Sequence, residues 1–184
     1  MSDLNTELIK VKRDCDAILI PGGEKVMLVE GTHIRITQAL GGDYTVYVNG
    51  NLLKVSGKDA DAIGMKADNN SSEPNKIKSN KPITEEDIWE VMKTCYDPEI
   101  PVNIVDLGLI YDLKTNHLEE GIKINVKMTL TAPGCGMGPV IAQDVEDKLM
   151  GLPNIIKVQV ELVWEPAWNQ SMMTDAAKLE LGML

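Results

Sequence analysis

The most regular hydrophobic pattern in the chain is an alternation from Gly121 to Thr131, in which every second residue is apolar. A similar alternation runs from Ile156 to Trp164. Because successive side chains of a strand point to opposite faces, each stretch predicts a strand with one buried face. The residues assigned to these buried faces are Ile122, Ile124, Val126, Met128 and Leu130 in the first strand, and Ile156, Val158, Val160, Leu162 and Trp164 in the second.

Apolar residues at helical spacing precede and separate these strands. A helix is predicted to start near Pro139 and to end at Gly151, and another to follow a capping-box signature at Thr84 to Asp87. With a further apolar strand predicted at Leu107–Leu113, the order is α-β-β-α-β. The sequence therefore predicts a two-layer α+β domain at residues 83–184, with its helices on one face of the sheet. The predicted inner helix faces are Met137, Ile141, Val145 and Leu149, and Ile88, Val91, Met92 and Cys95.

The first third of the chain is predicted to contain only strands. Short apolar runs alternate with turn signals from Ala17 to Met65, and Asn49-Gly50 is the strongest short hairpin signal among them. This pattern predicts a small all-β unit at residues 1–66, folded as a meander or a small barrel. Residues 67–82 contain a single large apolar residue, so they predict a flexible linker between the two domains.

The charge of the chain disfavours two classes of partner. A formal net charge of −10 repels phosphate backbones and anionic lipid, so we expect neither nucleic-acid nor membrane binding. No apolar run is long enough to span a membrane, and the first residues do not resemble a secretory signal. We therefore expect a cytoplasmic protein, in which three well-separated cysteines, Cys15, Cys95 and Cys135, are free thiols.

Cys135 is the strongest candidate for a functional residue. It lies between Gly134 and Gly136, directly before a predicted helix. Glycines let a ligand approach the backbone closely, and the positive end of a helix favours the thiolate, which attacks electrophiles and binds soft metals. Thr129 and Thr131, on the strand that leads into this loop, are candidates to donate hydroxyl hydrogen bonds. These features predict a reactive or metal-binding thiol.

The residues alone do not determine whether the Cys135 thiol attacks electrophiles or binds a metal. The chain has no CxxC motif, which excludes a self-contained four-cysteine metal site and a thioredoxin-like dithiol. Neither His33 nor His117 has a spacing that marks it as a member of a catalytic triad, so a thiol enzyme has no support beyond the cysteine itself.

The other two cysteines have structural explanations. Cys15 lies between Asp14 and Asp16, whose charges raise the pKa of its thiol and make it a poor nucleophile. Cys95 continues the apolar face of the first helix, where a free cysteine behaves as a small hydrophobic residue.

Two further motifs allow a structural or a functional interpretation. Asp97 and Glu99 flank Pro98, and the structural interpretation of this pattern is an ordinary turn. The functional interpretation is a pair of carboxylates that lies, together with Asn103, near another site. Trp164, Pro166 and Trp168 form either an apolar clamp at the edge of the core or a surface for docking partners.

Three segments in this order resemble the iron–sulfur cluster assembly domain family, which includes the SufT and PaaD proteins. They are DPEIPVNIVDLGLIY at residues 97–111, MTLTAPGCGMG at 128–138, and WEPAW at 164–168 followed by a Met-rich tail. The β unit at residues 1–66 is similar to the N-terminal extension of SufT-type members. The resemblance covers about a hundred residues from Ile83 onward.

The resemblance implies an accessory factor in the maturation of iron–sulfur proteins rather than a metabolic enzyme. It implies that Cys135 binds iron or an iron–sulfur cluster transiently, with Asp97 and Glu99 as weaker candidate ligands and Asn103 as a motif residue. One thiolate cannot hold a cluster alone, so a homodimer or a client protein is expected to complete the coordination. The expected partners are the iron–sulfur assembly machinery and its client proteins. The alternative is a non-catalytic adaptor that docks these partners through Trp164, Pro166 and Trp168.

Overall fold

A computed structural model describes residues 8–66 and 83–183. The chain divides into two compact units, with the division between Glu73 and Pro74. The predicted linker, 67–82, lies outside the described residues. No helix of the described part of the chain is both long and apolar enough to cross a membrane.

The first unit is an antiparallel sheet of six strands. The strands are β1 Ile9–Lys10, β2 Cys15–Ile20, β3 Lys25–Leu28, β4 His33–Leu40, β5 Asp43–Val48 and β6 Asn51–Val55. Their order in the sheet is β1-β4-β5-β6-β2-β3. The central meander is formed by β4, β5 and β6, and β2 and β1 flank it on either side. Residues on its inner face, among them Ile34, Val46 and Val55, are fully buried.

The hairpin predicted at Asn49-Gly50 joins β5 to β6. Both residues have positive φ, 49° and 87°, and Val48 pairs with Asn51 across the turn. This is the conformation for which an Asn-Gly pair is favoured in a two-residue hairpin. β1, β2 and the 3-10 helix at Gly57–Ile63 were not predicted from the sequence, because none of them carries a long alternating pattern.

The second unit has the predicted order α-β-β-α-β, followed by a short third helix. The elements are α1 Glu85–Met92, β7 Ile110–Leu118, β8 Gly121–Met128, α2 Gly138–Met150, β9 Ile155–Leu162, a 3-10 helix at Gln170–Met172 and α3 Asp175–Glu180. The sheet has the order β7-β8-β9, in which β7 and β8 are antiparallel while β8 and β9 are parallel and connected through α2. The α+β class, with an all-β unit before a two-layer unit, is therefore confirmed.

The predicted capping box starts α1. The Thr84 hydroxyl accepts a hydrogen bond from the Asp87 N–H, and the Asp87 carboxylate accepts one from the Thr84 N–H at 2.8 Å. Each side chain therefore accepts a hydrogen bond from a backbone N–H group that the start of the helix leaves unpaired. The helix buries Ile88 and Met92 in the core, as its apolar spacing predicts.

The core of the second unit lies between the sheet and α2. All the predicted inner residues of β8 and of α2 are buried. Gly138, the first residue of α2, lies so close to the sheet that a Cβ there would meet Leu130 Cδ1 at 2.7 Å and Leu162 Cδ1 at 3.3 Å. This close approach fixes the start of α2 against the ends of β8 and β9, which is where the Cys135 loop lies.

Three details of the strands differ from the sequence prediction. β7 spans Ile110–Leu118, so it begins three residues later than the predicted strand at Leu107–Leu113. β8 ends at Met128, so Thr129 and Thr131 lie beyond the strand. The register between β8 and β9 shifts near Ile122, and this irregularity leaves Ile155 buried and Ile156 exposed, which is the reverse of the predicted order. A single inserted residue moves all preceding side chains to the other face, and a pattern with period two does not contain that information.

Candidate functional site

A glycine-rich turn between β8 and α2 carries Cys135. Gly134 adopts a φ of +77°, and a Cβ there would have no atom within 4 Å, so the turn projects into open space. The Cys135 N–H donates to the Ala132 carbonyl at 3.4 Å, and the Cys135 carbonyl accepts from the Gly138 N–H at 3.1 Å. The backbone of Cys135 is thus fixed on both sides, three residues before α2 begins.

The start of α2 has no side-chain cap. Met137 occupies the cap position without a side-chain hydrogen bond, and the first turn contains no acidic residue. The positive end of the helix is therefore not neutralised by a carboxylate of its own first turn. An anionic group near Cys135 would be favoured by this arrangement.

The three cysteines differ in their access to solvent. Cys135 is partly exposed, whereas Cys15 is 6% exposed and Cys95 is fully buried, and all three are free thiols. Burial and the charge of Asp59 raise the pKa of the Cys15 thiol. The predicted direction is correct, but burial is the main cause, ahead of the neighbouring carboxylates. Cys95 is fully buried in the core of the second unit, as its helical spacing predicts.

We expect the native protein to contain one rapidly alkylated thiol. Iodoacetamide should modify Cys135 at least about tenfold faster than Cys15 or Cys95, because a buried thiol reacts only after local unfolding. Mass spectrometry of peptides from a time course under native conditions measures the three rates. In urea the three rates should become similar, and equal rates in the native state would contradict the assigned exposure.

Asp97 and Glu99 form a turn after α1, and they point to different environments. The Asp97 carboxylate is buried and accepts a hydrogen bond from the Glu99 N–H at 2.8 Å, whereas Glu99 is exposed. The turn is closed by Tyr96, which bridges to Asn103, and by Cys95, whose carbonyl accepts from Ile104 N–H at 3.0 Å. Asp97 thus organises the turn, and Glu99 is the carboxylate that solvent reaches.

Asn103 caps the turn that follows. Its side-chain oxygen accepts from the N–H groups of Val105 and Asp106, at 3.1 and 2.9 Å, and its amide donates to the Asp106 carboxylate at 2.6 Å. The hydrogen-bonding groups of this side chain are therefore engaged within residues 103–106, and Asn103 shapes the loop.

Residues 164–183, which we call the C-terminal strap, pack on the loop that Asn103 begins. The Trp168 indole N–H donates to the Leu107 carbonyl at 2.8 Å, and the Tyr111 hydroxyl donates to the Pro166 carbonyl at 2.7 Å. The Thr174 N–H donates to the Asp106 carbonyl at 2.9 Å. Trp168 therefore anchors the strap within the unit, whereas Trp164 is 43% exposed.

Three residues that hold the strap were not predicted from the sequence: Asp106, Gly108 and Tyr111. Gly108 has a φ of +73°, and a Cβ there would overlap the Met172 carbonyl oxygen and lie 2.7 Å from its carbonyl carbon. A glycine inside the run Leu107–Tyr111 was a signal for such a close approach. The backbone that approaches Gly108 lies more than sixty residues away, at Met172, and no pattern in the sequence near Gly108 indicates it.

One chain does not assemble a metal centre from the residues described. Within residues 8–66 and 83–183, no three side chains of His, Cys, Asp or Glu lie close enough together to hold a metal ion. The arrangement around Cys135 instead offers a single accessible sulfur on a rigid turn. Chemically, it can provide one ligand or one nucleophile to a group supplied by another molecule.

Comparisons with known proteins agree with the motifs of the second unit. Residues 85–162 match the family model described as "Iron-sulfur cluster assembly protein". A Porphyromonas gingivalis protein named "Fe-S protein maturation auxiliary factor" is 46% identical over 55% of this chain and 93% of its own length. The Staphylococcus aureus protein "Fe-S protein maturation auxiliary factor SufT" is 45% identical over 47% of this chain and 96% of its own length.

A solved structure of a domain of unknown function from Bacillus anthracis is 34% identical, with a TM-score of 0.49, over 54% of this chain and 92% of that one. The match to the family model begins at residue 85, so the similarity of the first unit to a SufT-type extension stays a prediction. The resemblance that rests on the three motifs is confirmed by relatives at 45% and 46% identity, which this chain covers almost completely. The chain belongs to the iron–sulfur cluster assembly protein family.

Proposed function

We propose that the protein is an accessory factor in the maturation of iron–sulfur proteins, in which the Cys135 thiolate binds iron or a cluster in transit. The observation that carries this proposal is the partly exposed cysteine on the rigid turn before α2, in a chain whose relatives are named maturation auxiliary factors. A carrier needs a sulfur that a second molecule can reach, and Cys135 is the accessible one of the three thiols.

The coordination of the cargo is shared with another molecule in this proposal. Cys135 supplies one thiolate, whereas an iron–sulfur cluster is normally held by several. A second copy of the chain, an assembly protein or the client supplies the remaining ligands. Glu99 is the better placed of the two motif carboxylates to assist, because Asp97 is buried in its own turn. The protein acts as a carrier rather than an enzyme, in the cytoplasm, where its free thiols stay reduced.

Removal of the protein from its host tests this function. We expect the activity of [4Fe–4S] enzymes to fall by at least about twofold in the deletion strain, and iron-free enzymes in the same extract to keep their activity. Incubation of the extract with iron, sulfide and a reductant should restore the lost activity, because the client polypeptides are present without clusters. Equal loss in both classes of enzyme, or no loss in either, would argue against a maturation factor.

A second candidate function, that of an adaptor for client or assembly proteins, is favoured by the exposed indole of Trp164. Tryptophan is enriched at protein interfaces, where its large surface becomes buried. For this second function, Trp164 and Pro166 contact the partner protein, while Trp168 holds the strap through its hydrogen bond to Leu107.

Trp164→Ala distinguishes the adaptor from the carrier. For an adaptor, we expect this substitution to weaken binding to purified assembly or client proteins by about tenfold or more, as for an interface anchor, and to leave iron binding unchanged. Trp168→Phe serves as the matched control, since it removes the internal hydrogen bond to Leu107 and part of the ring but leaves Trp164 in place. Unchanged partner binding in Trp164→Ala would exclude Trp164 as the anchor.

A further inference from the structure

The side of the β7–β9 sheet that faces away from α2 is covered by side chains in ordered cross-strand rows. We call it the open face. Its rows, from one end of the sheet to the other, are Leu118 and Gly121; Asn116, Lys123 and Lys157; Lys114, Asn125 and Gln159; and Asp112, Lys127 and Glu161. The alternate residues of β8, from Ile122 to Met128, are buried on the opposite side, against α2, and no helix of residues 83–183 packs on the open face.

The open face is basic in a strongly acidic unit. Residues 83–183 contain seven lysines, no arginine and seventeen Asp and Glu residues, and four of the lysines lie on this one face. Five of the seven are in ion pairs, Lys93 with Glu90, Lys114 with Asp112, Lys127 with Glu161, Lys148 with Asp144 and Lys178 with Asp175. Within the described ranges, Lys123 and Lys157 have no carboxylate at ion-pair distance.

These two lysines are also neighbours. Lys123 on β8 pairs with Lys157 on β9, so two lysine side chains leave neighbouring positions on adjacent strands, and such strands lie about 4.8 Å apart. Like charges in this position destabilise a sheet. A role in protecting a sheet edge does not account for Lys123, because β8 is the central strand. The repulsion between the two lysines therefore lowers the free energy of unfolding of the second unit, and the protection of a sheet edge does not explain the position of Lys123.

Apolar residues border the pair. Leu118 and Ile156 are 47% and 37% exposed at the end of the open face, and Ile156 lies over Gly121, where a Cβ would meet its Cγ2 at 2.5 Å. A partner covering this region would bury both side chains and neutralise both lysines. Mixed apolar and charged contacts of this kind are typical of specific protein interfaces.

We propose that the open face docks an acidic segment of a partner protein, with its carboxylates on Lys123 and Lys157 and its apolar residues on Leu118 and Ile156. Charge complementarity supports a short acidic protein segment as the ligand. A nucleic acid or an anionic lipid surface would extend beyond the lysine pair and would be repelled by the seventeen carboxylates of the same unit. Lys123 lies about 17 Å along β8 from Met128, where the chain leaves the sheet toward Cys135. The docking face is independent of what Cys135 binds, so the two proposals fail separately.

A fluorescein-labelled peptide of glutamates with two leucines among them is the probe, and fluorescence anisotropy with the full chain is the measurement. We expect the peptide to bind at about 0.02 M salt and to dissociate at about 0.3 M, because surface ion pairs are screened over these concentrations. Lys123→Glu/Lys157→Glu should weaken binding by about tenfold or more, and Lys123→Arg/Lys157→Arg should retain it. Lys93→Glu/Lys178→Glu makes the same change in net charge elsewhere and should bind like the unmodified chain.

The single substitution Lys157→Glu separates docking from folding. It converts a like-charge pair into an opposite-charge pair, so it should raise the urea midpoint of the second unit while it weakens peptide binding. Equal peptide binding by the unmodified chain and the double glutamate variant would overturn the proposal. No binding at low salt, or tighter binding of a single-stranded DNA of the same charge, would overturn it as well.

Discussion

Gly108→Ala is expected to destabilise the second unit by about 3–5 kcal/mol, a large fraction of the stability of a domain of this size. Two effects add at this position. The backbone has a φ of +73°, which a residue with a Cβ adopts only with strain, and the new methyl group would collide with the Met172 backbone. Relief of the collision requires the C-terminal strap to move away from the loop at residues 103–108.

Urea unfolding followed by tryptophan fluorescence measures this effect selectively. The three tryptophans of the chain, Trp89, Trp164 and Trp168, all lie in the second unit, so their emission reports that unit alone. Gly134→Ala is a matched control, because Gly134 has a similar φ of +77° but open space around the added methyl group. It should lose only about 1 kcal/mol from strain. Equal losses in the two variants would show that the strap does not press on Gly108.

Cys135→Ser is expected to abolish the function while the fold persists. Serine keeps the size of the side chain, but its hydroxyl is neither a thiolate nor a ligand for iron in transit. The turn has room for the change, since Cys135 is partly exposed and its backbone makes the hydrogen bonds that fix the turn. We therefore expect a strain carrying Cys135→Ser to have the same low [4Fe–4S] enzyme activity as the deletion strain.

Cys15→Ala is the control for this experiment. It also removes one thiol, but from the buried side of β2 in the first unit. It should restore client activity to the level of the unmodified chain, provided that equal amounts of protein accumulate. Full activity in Cys135→Ser would refute the assignment of Cys135.

The elements that the sequence predicted well are those whose signals are local. The alternation in β8 and the capping box at Thr84 depend on residues within one strand or one helical turn, and both are present. The Cys135 loop is found for the same reason, because a Pro-Gly-Cys-Gly turn between a strand and a helix is visible in a few residues.

The features that the sequence did not reveal depend on contacts between distant segments. The irregular register of β8 and β9 decides that Ile156 is exposed, and the strap decides that Trp168 is anchored while Trp164 is not. The burial of Asp97 likewise follows from the way residues 95–104 close on themselves. Residue patterns predict which side chains share a face, but they do not predict which distant backbone group meets them.

Anaerobic reconstitution with iron and sulfide tests the central claim, that Cys135 is the ligand for the cargo, most directly. Bound iron and visible absorbance would be measured for the unmodified chain, for Cys135→Ser and for Cys15→Ala after removal of free iron. We expect the unmodified chain and Cys15→Ala to retain iron and to develop visible absorbance, whereas Cys135→Ser should do neither. Equal iron in all three proteins, or none in the unmodified chain, would contradict the claim.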